Sequence, residues 1–530
     1  MIKTYTLTFL TALLFLTFSN NTIAQFYGIQ LNTEESLNGY TLIEKPLDGT
    51  WLIDNCGDVV NVWPSVGSSE FHPKLLPNGN LLYQTSSTVF ELDWNSNIIN
   101  SVSIPFGNLQ LVYEVIKLPT DNYLCLGRRS MTFDDFVDLG FDMGGVNSPS
   151  RIDVVVELDY NTGEIVWEWN LGDHVLQERS SNLNNFGIIA DHPELIDMDA
   201  LATYDWTFSE SFMINGMDYN PELDQIALSV RKMNEIMIID HSTTTAEAAG
   251  HSGGNSGKGG DFIYRWGNPQ NYGQGDESDH ELYFQHNPKW ITHGPHAGKL
   301  TCYNNGLNRP NFEFYSEVPI INTPVDANGN YTLEAGSAYA PEEPDFIWSQ
   351  PATGTLFFSG YTSGAELLTN GNIFITEGVN GRLLEVNPDG DVVWQYNVPF
   401  VSYLFRSERY PANHPAFDGK DLTPSGVVNG SDSVYDCELF VDSTDTNIAE
   451  IAAQSFTIDY LSNRDINVIN NTKNDFTFIL FDGNGKKQHF GESQQGQHLL
   501  SLNNLPSGFY VLSVIDKTTG KRLSEKMILR

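Results

Sequence analysis

A short phrase recurs along this 530-residue chain and limits what the chain can fold into. An apolar residue precedes a turn of the Pro-Asn-Gly-Asn type, a β-rich run follows, and a second run ends in an Asp/Gly turn and a tryptophan. The clearest copies begin at Leu75, Leu118 and Leu368, and the first leads to Trp94. Asn-Gly and Asp-Gly turns supply the positive φ angles that tight hairpin loops require, so each copy predicts two β-hairpins.

A unit of roughly 40 residues with four short strands and a structural tryptophan is typical of a propeller blade. About five or six such units fit between residues 30 and 410. We therefore predict an all-β chain with a six-bladed β-propeller over residues 25–430, an acidic linker over 431–455 and a small β-sandwich over 456–530. An array of β-sandwiches is the alternative, although it does not predict the repeated turn-plus-tryptophan phrase.

The charge of the chain excludes several classes of partner. It carries 28 Lys+Arg against 67 Asp+Glu, a formal net charge of −39. Nucleic acids and anionic membranes are repelled by such a field, so neither is a predicted partner. The acidity is unevenly distributed, because residues 461–530 hold nine Lys+Arg against six Asp+Glu. That shift in charge marks the C-terminal segment as a separate module.

The first residues predict export. A basic start that includes Lys3 is followed by an apolar run over 5–18, and Ala24 supplies the small residue that a signal peptidase needs. We expect residues 1–24 to be a signal peptide and the mature protein to be secreted or held at the cell surface. No later run is long and apolar enough to predict a transmembrane span.

The four cysteines Cys56, Cys125, Cys302 and Cys437 are widely separated. Their spacing indicates neither a disulfide scaffold nor a cysteine zinc site, and it leaves their pairing open.

The C-terminal module contains the run Leu505-Pro506-Ser507-Gly508-Phe509-Tyr510-Val511-Leu512 and ends in Lys526-Met527-Ile528-Leu529-Arg530. These features resemble the C-terminal sorting domain of the type IX secretion system of Bacteroidetes-type bacteria. The resemblance implies that residues 456–530 engage that secretion machinery.

The least generic motifs lie between residues 205 and 400. In chain order they are Asn215-Gly216-Met217-Asp218-Tyr219, then Tyr264-Arg265-Trp266-Gly267-Asn268-Pro269, then Gln285-His286-Asn287, and then Tyr303-Asn304-Asn305-Gly306 followed by Arg309. This ordered series resembles the core of the bacterial arylsulfate sulfotransferase family, from about residue 60 to residue 400. The resemblance implies transfer of a sulfuryl group between small phenolic compounds through a histidine, without a nucleotide sulfate donor.

The resemblance also implies roles for single residues. His286 matches an active-site histidine and Arg309 an anion-binding arginine, and these two are the predicted catalytic residues. The predicted substrate-binding residues are Arg231, Arg265, Asn215 and Asn305. No cofactor is implied. No metal is predicted either, because the spacing of His286, His293 and His296 matches no helix-borne zinc motif.

Three departures from the family pattern leave alternatives open. Met213 stands where the family has a histidine, Val112-Tyr113-Glu114-Val115 replaces a His-His-Asp, and residues 358–365 contain no histidine that could become sulfated. A non-catalytic propeller that binds a sulfated or aromatic ligand is therefore the first alternative. A quinoprotein dehydrogenase is the second, because Leu158–Trp167 resembles the tryptophan-docking repeat of those propellers.

The glycine-rich run Gly250–Gly260 precedes a strand and not a helix, which disfavours a phosphate cradle and favours a mobile loop over the channel mouth.

Overall fold

The structure is a computed structural model of the whole chain. It describes residues 27–45, 48–65, 72–105, 107–140, 151–198, 212–310, 313–349, 357–399, 401, 403–431, 435–440, 456–460, 464–470, 474–482, 487–493, 497–517 and 522–529. The predicted signal peptide and most of the predicted linker lie outside these ranges. The chain divides into two compact units, Met1–Leu439 and Phe440–Arg530.

Strands dominate the first unit, as the alternating apolar residues between turn signals predict. Those of the first half are β1 (Gly28–Asn32), β2 (Gly39–Lys45), β3 (Gly49–Ile53), β4 (Val59–Trp63), β5 (Lys74–Leu75), β6 (Leu81–Gln84), β7 (Thr88–Leu92), β8 (Ile98–Ser103), β9 (Leu109–Lys117), β10 (Tyr123–Ser130), β11 (Arg151–Leu158), β12 (Ile165–Asn170), β13 (Val175–Leu176) and β14 (Ile196–Asp197). Those of the second half are β15 (Ile214–Asn220), β16 (Gln225–Val230), β17 (Glu235–Asp240), β18 (Tyr264–Trp266), β19 (His286–Trp290), β20 (Leu300–Tyr303), β21 (Val318–Ile321), β22 (Phe346–Trp348), β23 (Gly364–Leu367), β24 (Ile373–Glu377), β25 (Arg382–Val386), β26 (Val392–Asn397) and β27 (Ser407–Pro411). Two short α-helices are found in the described residues of this unit, α1 (Phe133–Asp138) and α2 (Thr245–Ala248).

Within the described part of this unit, the strands form six antiparallel sheets and one two-stranded parallel pair, β13-β14. Four sheets follow chain order: sheet 2 (β5 to β8), sheet 3 (β9 to β12), sheet 4 (β15 to β18) and sheet 5 (β19 to β22). In sheets 1 and 6 the first and last strands of the unit are paired with distant segments, since β27 joins sheet 1 and β1 joins sheet 6. Sheet 1 has the order β27-β2-β3-β4, and sheet 6 has β1 added outside β26 in the order β1-β26-β25-β24-β23. The prediction of an all-β chain is confirmed.

A regular interlock joins each sheet to the next. The indole of Trp394, on the last strand of sheet 6, donates to the carbonyl of Asn55 in the β3–β4 turn of sheet 1. Four other last strands do the same with Trp63, Trp169, Trp266 and Trp348, whose acceptors are the carbonyls of Asp93, Gly260, Pro341 and Gly390. On β8 the side-chain amide of Asn100 takes this role toward Tyr160. Each acceptor lies between the third and fourth strands of the following sheet.

The apolar cores follow the same order. Each buried cluster of the first unit combines residues of successive sheets, and Ile43 and Ile53 of sheet 1 pack with Leu383 and Trp394 of sheet 6. A disulfide between Cys56 and Cys437 reinforces this junction, whereas Cys125 and Cys302 are buried thiols. The sequence left this pairing open.

The second unit has two antiparallel sheets. Its strands are β28 (Phe456–Tyr460), β29 (Asp465–Asn470), β30 (Phe476–Asp482), β31 (Lys487–Ser493), β32 (Gln497–Ser501), β33 (Gly508–Asp516) and β34 (Arg522–Leu529). The sheets have the orders β28-β29-β32 and β31-β30-β33-β34 and share one apolar core that includes Val468 and Phe478. Among the residues that the structure describes, no helix is long and apolar enough to cross a membrane.

Candidate active site

Irregular backbone within or just before the first strands of sheets 3 to 6 sets up the candidate site. Tyr113, Met213, Asn287 and Thr362 all have positive φ angles between 54° and 60°. In sheets 3, 4 and 5 the pairing register shifts at this point, between Leu111 and Val115, Ile214 and Gly216, and His286 and Lys289. Such irregularities redirect side chains, and strained backbone concentrates at functional sites. Functional side chains are therefore expected around these four residues.

His286, the first residue of β19, is buried at this position. Its Nδ1 atom lies 2.7 Å from Oδ1 of Asn305. Burial lowers the pKa of His286 to about 3, and the charge of Arg231 acts in the same direction. The imidazole is therefore neutral at physiological pH.

The tautomer of that ring follows from the bonds of Asn305. The amide nitrogen of Asn305 donates to the carbonyls of Ser359 and Thr362, at 2.6 Å and 3.0 Å. Its oxygen must therefore accept, so Nδ1 of His286 carries the proton. In a neutral ring Nε2 then holds the free electron pair, as a nucleophile requires.

Asn215 supports the same strand from sheet 4. Its side-chain amide donates 2.9 Å to the carbonyl of Gln285, the residue before His286. Ser229 bonds the same carbonyl at 3.1 Å. Both predicted asparagines, Asn215 and Asn305, thus contact the His286 segment.

Arg231 is a buried cation that is suited to bind an anionic substrate group. It follows β16, is 7 % exposed, and its guanidinium lies 4.4 Å from the ring centre of Phe284. One nitrogen contacts the sulfur of Met213 at 3.5 Å, and Nε has no partner among the described residues. Burial lowers the pKa of Arg231 to about 10, so it stays charged. No carboxylate among the described residues forms an ion pair with it.

Arg406 is a second cation that acts on His286, and sequence reasoning missed it. It precedes β27, and its charge also lowers the pKa of His286. It pairs with Glu114 and donates a very short hydrogen bond to Asn287. Gly364 makes room for it, because a Cβ there would lie 2.7 Å from the Arg406 side chain. No sequence motif indicated Arg406, because it lies at the site only through the pairing of β27 with β2 in sheet 1.

Aromatic rings border the same place. Tyr113 and Phe405 stack with centres 5.3 Å apart, and Phe405 lies edge-on to the His286 ring at 6.5 Å. The guanidinium of Arg128 also lies over the Tyr113 ring, 4.9 Å from its centre. A flat aryl group has rings to contact here, beside the imidazole of His286 and the guanidinium of Arg231.

A buried ionic cluster lies next to the site. A small cavity is lined by residues that include His72, Lys289, Glu366, Arg406 and Glu408. Burial raises the pKa of Glu366 to about 8, and the neighbouring Glu408 adds to the rise. Burial also opposes ionisation of Glu408, but His72 and Lys289 hold its pKa well below the usual range. One carboxyl of the pair is thus protonated at neutral pH and the other ionised.

The other predicted arginines have carboxylate partners. Arg265 is fully buried and forms a bidentate pair with Glu235, at 3.2 Å and 2.6 Å. Arg309 pairs with Glu317 and lies over the rings of Tyr283 and Tyr315. The charges that act on the His286 ring come from Arg231 and Arg406. The roles of Arg265 and Arg309 in substrate binding and catalysis stay predictions.

The fold and this site define a class of protein: the described part of the first unit combines six antiparallel β-sheets with a neutral imidazole, a buried guanidinium and aromatic rings near the first strands of the sheets. The family model for arylsulfotransferase (ASST) matches residues 16–391. The chain belongs to this family, and its function is arylsulfotransferase-like.

Solved structures resemble the chain only distantly. A periplasmic gluconolactonase from Pseudomonas aeruginosa is 9% identical, with a TM-score of 0.33, over 90% of this chain and 100% of that one. Virginiamycin B lyase from Staphylococcus aureus is 9% identical, with a TM-score of 0.31, over 71% and 89%. An immunoglobulin-like β-sandwich protein from Bacteroides vulgatus is 17% identical, with a TM-score of 0.14, over 14% and 85%. No curated protein matches the sequence.

Proposed function

We propose that this protein transfers a sulfuryl group from an aryl sulfate to a phenol, with His286 as the nucleophile. The observation that carries the proposal is the neutral His286 ring, whose proton is held on Nδ1 by Asn305 while the guanidinium of Arg231 lies close enough to lower its pKa. The family membership supports phenolic and sulfated compounds as substrates.

The proposed chemistry has two balanced steps. Nε2 of His286 forms a bond to sulfur while the bond from sulfur to the aryl oxygen breaks, and the phenolate leaves with both electrons of that bond and takes a proton from solvent. In the second step an acceptor phenol oxygen forms a bond to sulfur, the nitrogen–sulfur bond breaks, and the phenol proton passes to solvent. Arg231 stabilises the negative charge on the sulfuryl oxygens in both steps.

We extend the proposal to the architecture and the cell compartment. The interlock and the shared core of sheets 6 and 1 support a closed six-bladed propeller over residues 25–430. The signal-peptide pattern over residues 1–24 and the likeness of residues 456–530 to a type IX sorting domain support export to the cell surface or the medium. Deletion of residues 456–530 in a host with that secretion system should leave the protein in the periplasm, as fractionation would show.

A colour assay tests the enzyme claim. The protein is given 4-nitrophenyl sulfate and phenol, and nitrophenolate release and phenyl sulfate formation are both measured. We expect turnover in the wild type, none in His286→Ala, and unchanged turnover in His192→Ala, an exposed histidine bonded to Glu194. Turnover that survives His286→Ala contradicts the proposal.

The non-catalytic alternative rests on one observation. Met213 stands where the family has a histidine, and its sulfur contacts Arg231. If the protein binds aryl sulfate in calorimetry without any turnover, and Arg231→Met removes that binding, the protein is a ligand-binding member of the family.

A further inference from the structure

A second cluster of histidines lies away from the proposed active site. His174 follows β12 of sheet 3, and His251 and Asp261 lie on the glycine-rich connection between β17 and β18 of sheet 4. The Nδ1 atoms of both histidines lie 2.8 Å from the same oxygen, Oδ1 of Asp261. The three ligand atoms are all within 4.8 Å of one another.

The ring of His174 is fixed in one orientation. It is fully buried, and it stacks on Trp169 with the two planes 1° apart. Its Nε2 lies 2.8 Å from the carbonyl of Ala248. A carbonyl only accepts, so Nε2 carries a proton, and in the neutral ring Nδ1 points its electron pair at Asp261. A histidine whose far nitrogen is bonded to a carbonyl is the usual arrangement around a bound metal ion.

The glycines of this connection bring the ligands together. Gly260 lies against His174, since a Cβ there would be 2.7 Å from Nε2 and 2.0 Å from the Ala248 carbonyl. Gly253 and Gly259 have φ angles of 113° and 62°, which other residues adopt only with strain. The glycines therefore let the connection fold tightly on itself and against His174. His251 lies within the glycine-rich run Gly250–Gly260 that was predicted to be a loop, and Asp261 follows it directly.

We propose that His174, His251 and Asp261 form a binding site for a divalent cation of the zinc class. Two imidazoles and a carboxylate are ligands that Zn²⁺ accepts, whereas Ca²⁺ and Mg²⁺ prefer oxygen alone. Zinc bonds of about 2.0–2.2 Å place neighbouring ligand atoms about 3.3 Å apart in a tetrahedron. Both Nδ1–Oδ1 distances of 2.8 Å must widen toward this value, which requires a small rotation of the Asp261 carboxylate away from the fixed His174 ring. The His251 side chain, which is 61 % exposed, can follow that movement and leaves the fourth position on the solvent side.

The ion would tie the end of sheet 3 to the β17–β18 connection of sheet 4. This site shares no residue with the His286 site, so the inference stands or falls independently of the proposed sulfuryl transfer.

Calorimetry with the metal alone tests the inference. Zn²⁺ is titrated into chelator-treated full-length protein, and we expect saturable binding of one ion and a higher midpoint of thermal unfolding. His251→Ala should weaken binding by more than about 100-fold, because loss of a residue that only hydrogen-bonds to a metal ligand already costs about 10–100-fold. His192→Ala, which removes another exposed histidine, should bind like the wild type. Circular dichroism confirms that each variant is folded.

Replacement of Zn²⁺ by Co²⁺ gives a second readout. Nitrogen and oxygen ligands in a four-coordinate site should give a visible absorption band that disappears in Asp261→Asn. The proposal is overturned if Zn²⁺ shows no saturable binding, or if His251→Ala binds it as tightly as the wild type does. Either result would indicate that the cluster is an ion pair between a protonated His174 and Asp261.

Discussion

The Nδ1 atom of His286 and the Oδ1 atom of Asn305 are 2.7 Å apart, and this bond sets the chemistry of the site. It comes from two different places in sheet 5, the start of β19 and the connection after β20. Asn305 is itself held by two carbonyls of the segment before β23. Sheets 5 and 6 thus jointly fix which nitrogen of His286 is free to react.

Removing the side chain of Asn305 should therefore lower the activity without unfolding the protein. In Asn305→Ala the Nδ1 proton of a buried ring loses its acceptor, which costs about 1–3 kcal/mol. If the same free energy is lost from the positioning of the His286 ring in the transition state, kcat/KM for an aryl sulfate falls by about 5- to 150-fold. Steady-state kinetics measure it. An unchanged kcat/KM would show that Asn305 does not orient the ring.

The pH profile of the same reaction should lack an acid limb near the ordinary histidine pKa. Burial and the Arg231 charge lower the pKa of His286 to about 3, and only the protonated ring is unable to attack. We expect kcat/KM to be independent of His286 protonation from about pH 5 upward. In Asn305→Asp a carboxylate would stabilise the protonated ring, so an acid limb should move to higher pH. A wild-type acid limb near pH 6.5 that moves to higher pH in Asn305→Asp contradicts the low pKa assigned to His286.

Two buried arginines should respond in opposite ways to the same substitution. Arg231 has no carboxylate partner among the described residues and is surrounded by Met213 and Phe284, so Arg231→Met should raise the midpoint of thermal unfolding. The same change should lower kcat/KM by about 10²–10³-fold, as loss of an oxyanion-stabilising group does. Arg265→Met leaves Glu235 buried and unpaired, and should cost about 3–5 kcal/mol of folding free energy.

Differential scanning calorimetry and the colour assay together separate these outcomes. If Arg231→Met destabilises the protein as strongly as Arg265→Met, then Arg231 is a structural residue like Arg265.

His241 should make the stability of the first unit depend on pH. Burial opposes its protonation, but bonds to Asp224 and Glu157 outweigh this and raise its pKa to about 9. The protonated ring binds its partners more tightly in the folded state, so this stabilisation is fully present below the unfolded pKa of about 6.5. It is lost as pH rises from about 6.5 through 9. Urea unfolding between these pH values should show a fall in the wild type that is smaller in His241→Gln.

The disulfide between Cys56 and Cys437 should stabilise the junction of sheets 1 and 6. It joins residues 381 positions apart, and disulfides typically contribute about 2–4 kcal/mol by restricting the unfolded chain. A reducing agent should lower the unfolding midpoint of the wild type. It should not lower that of Cys56→Ser further, because burial raises the pKa of the thiols of Cys125 and Cys302 and keeps them inert. An effect of reductant on Cys56→Ser would contradict this assignment.

Parts of the fold were predictable because they depend on neighbouring residues. The turn at Pro77-Asn78-Gly79-Asn80 connects β5 to β6, and the Asp159–Gly163 turn connects β11 to β12, as the repeated phrase predicts. The five tryptophans that donate across the sheet junctions are buried: Trp63, Trp169, Trp266, Trp348 and Trp394. The partner of each indole was not predictable, because the acceptor carbonyl always belongs to the next sheet.

The candidate site was predictable only in part. The family resemblance pointed to His286, Asn305, Asn215 and Arg231, which the structure brings into one neighbourhood. It did not point to Arg406, which lies beyond the motifs and pairs with Glu114 from a strand almost 300 residues earlier.

The sequence by itself determined the strands, their hairpins and the family, since these follow from apolar alternation, turn residues and motif order. Tertiary structure alone decided that β27 joins sheet 1 while β1 joins sheet 6, and which arginines lack a carboxylate. The physical reason is that pairing between distant segments, and the desolvation that changes the pKa of His286, depend on what packs around a residue and not on its neighbours in the chain. An arginine in a motif looks the same whether it faces Glu235 or a substrate.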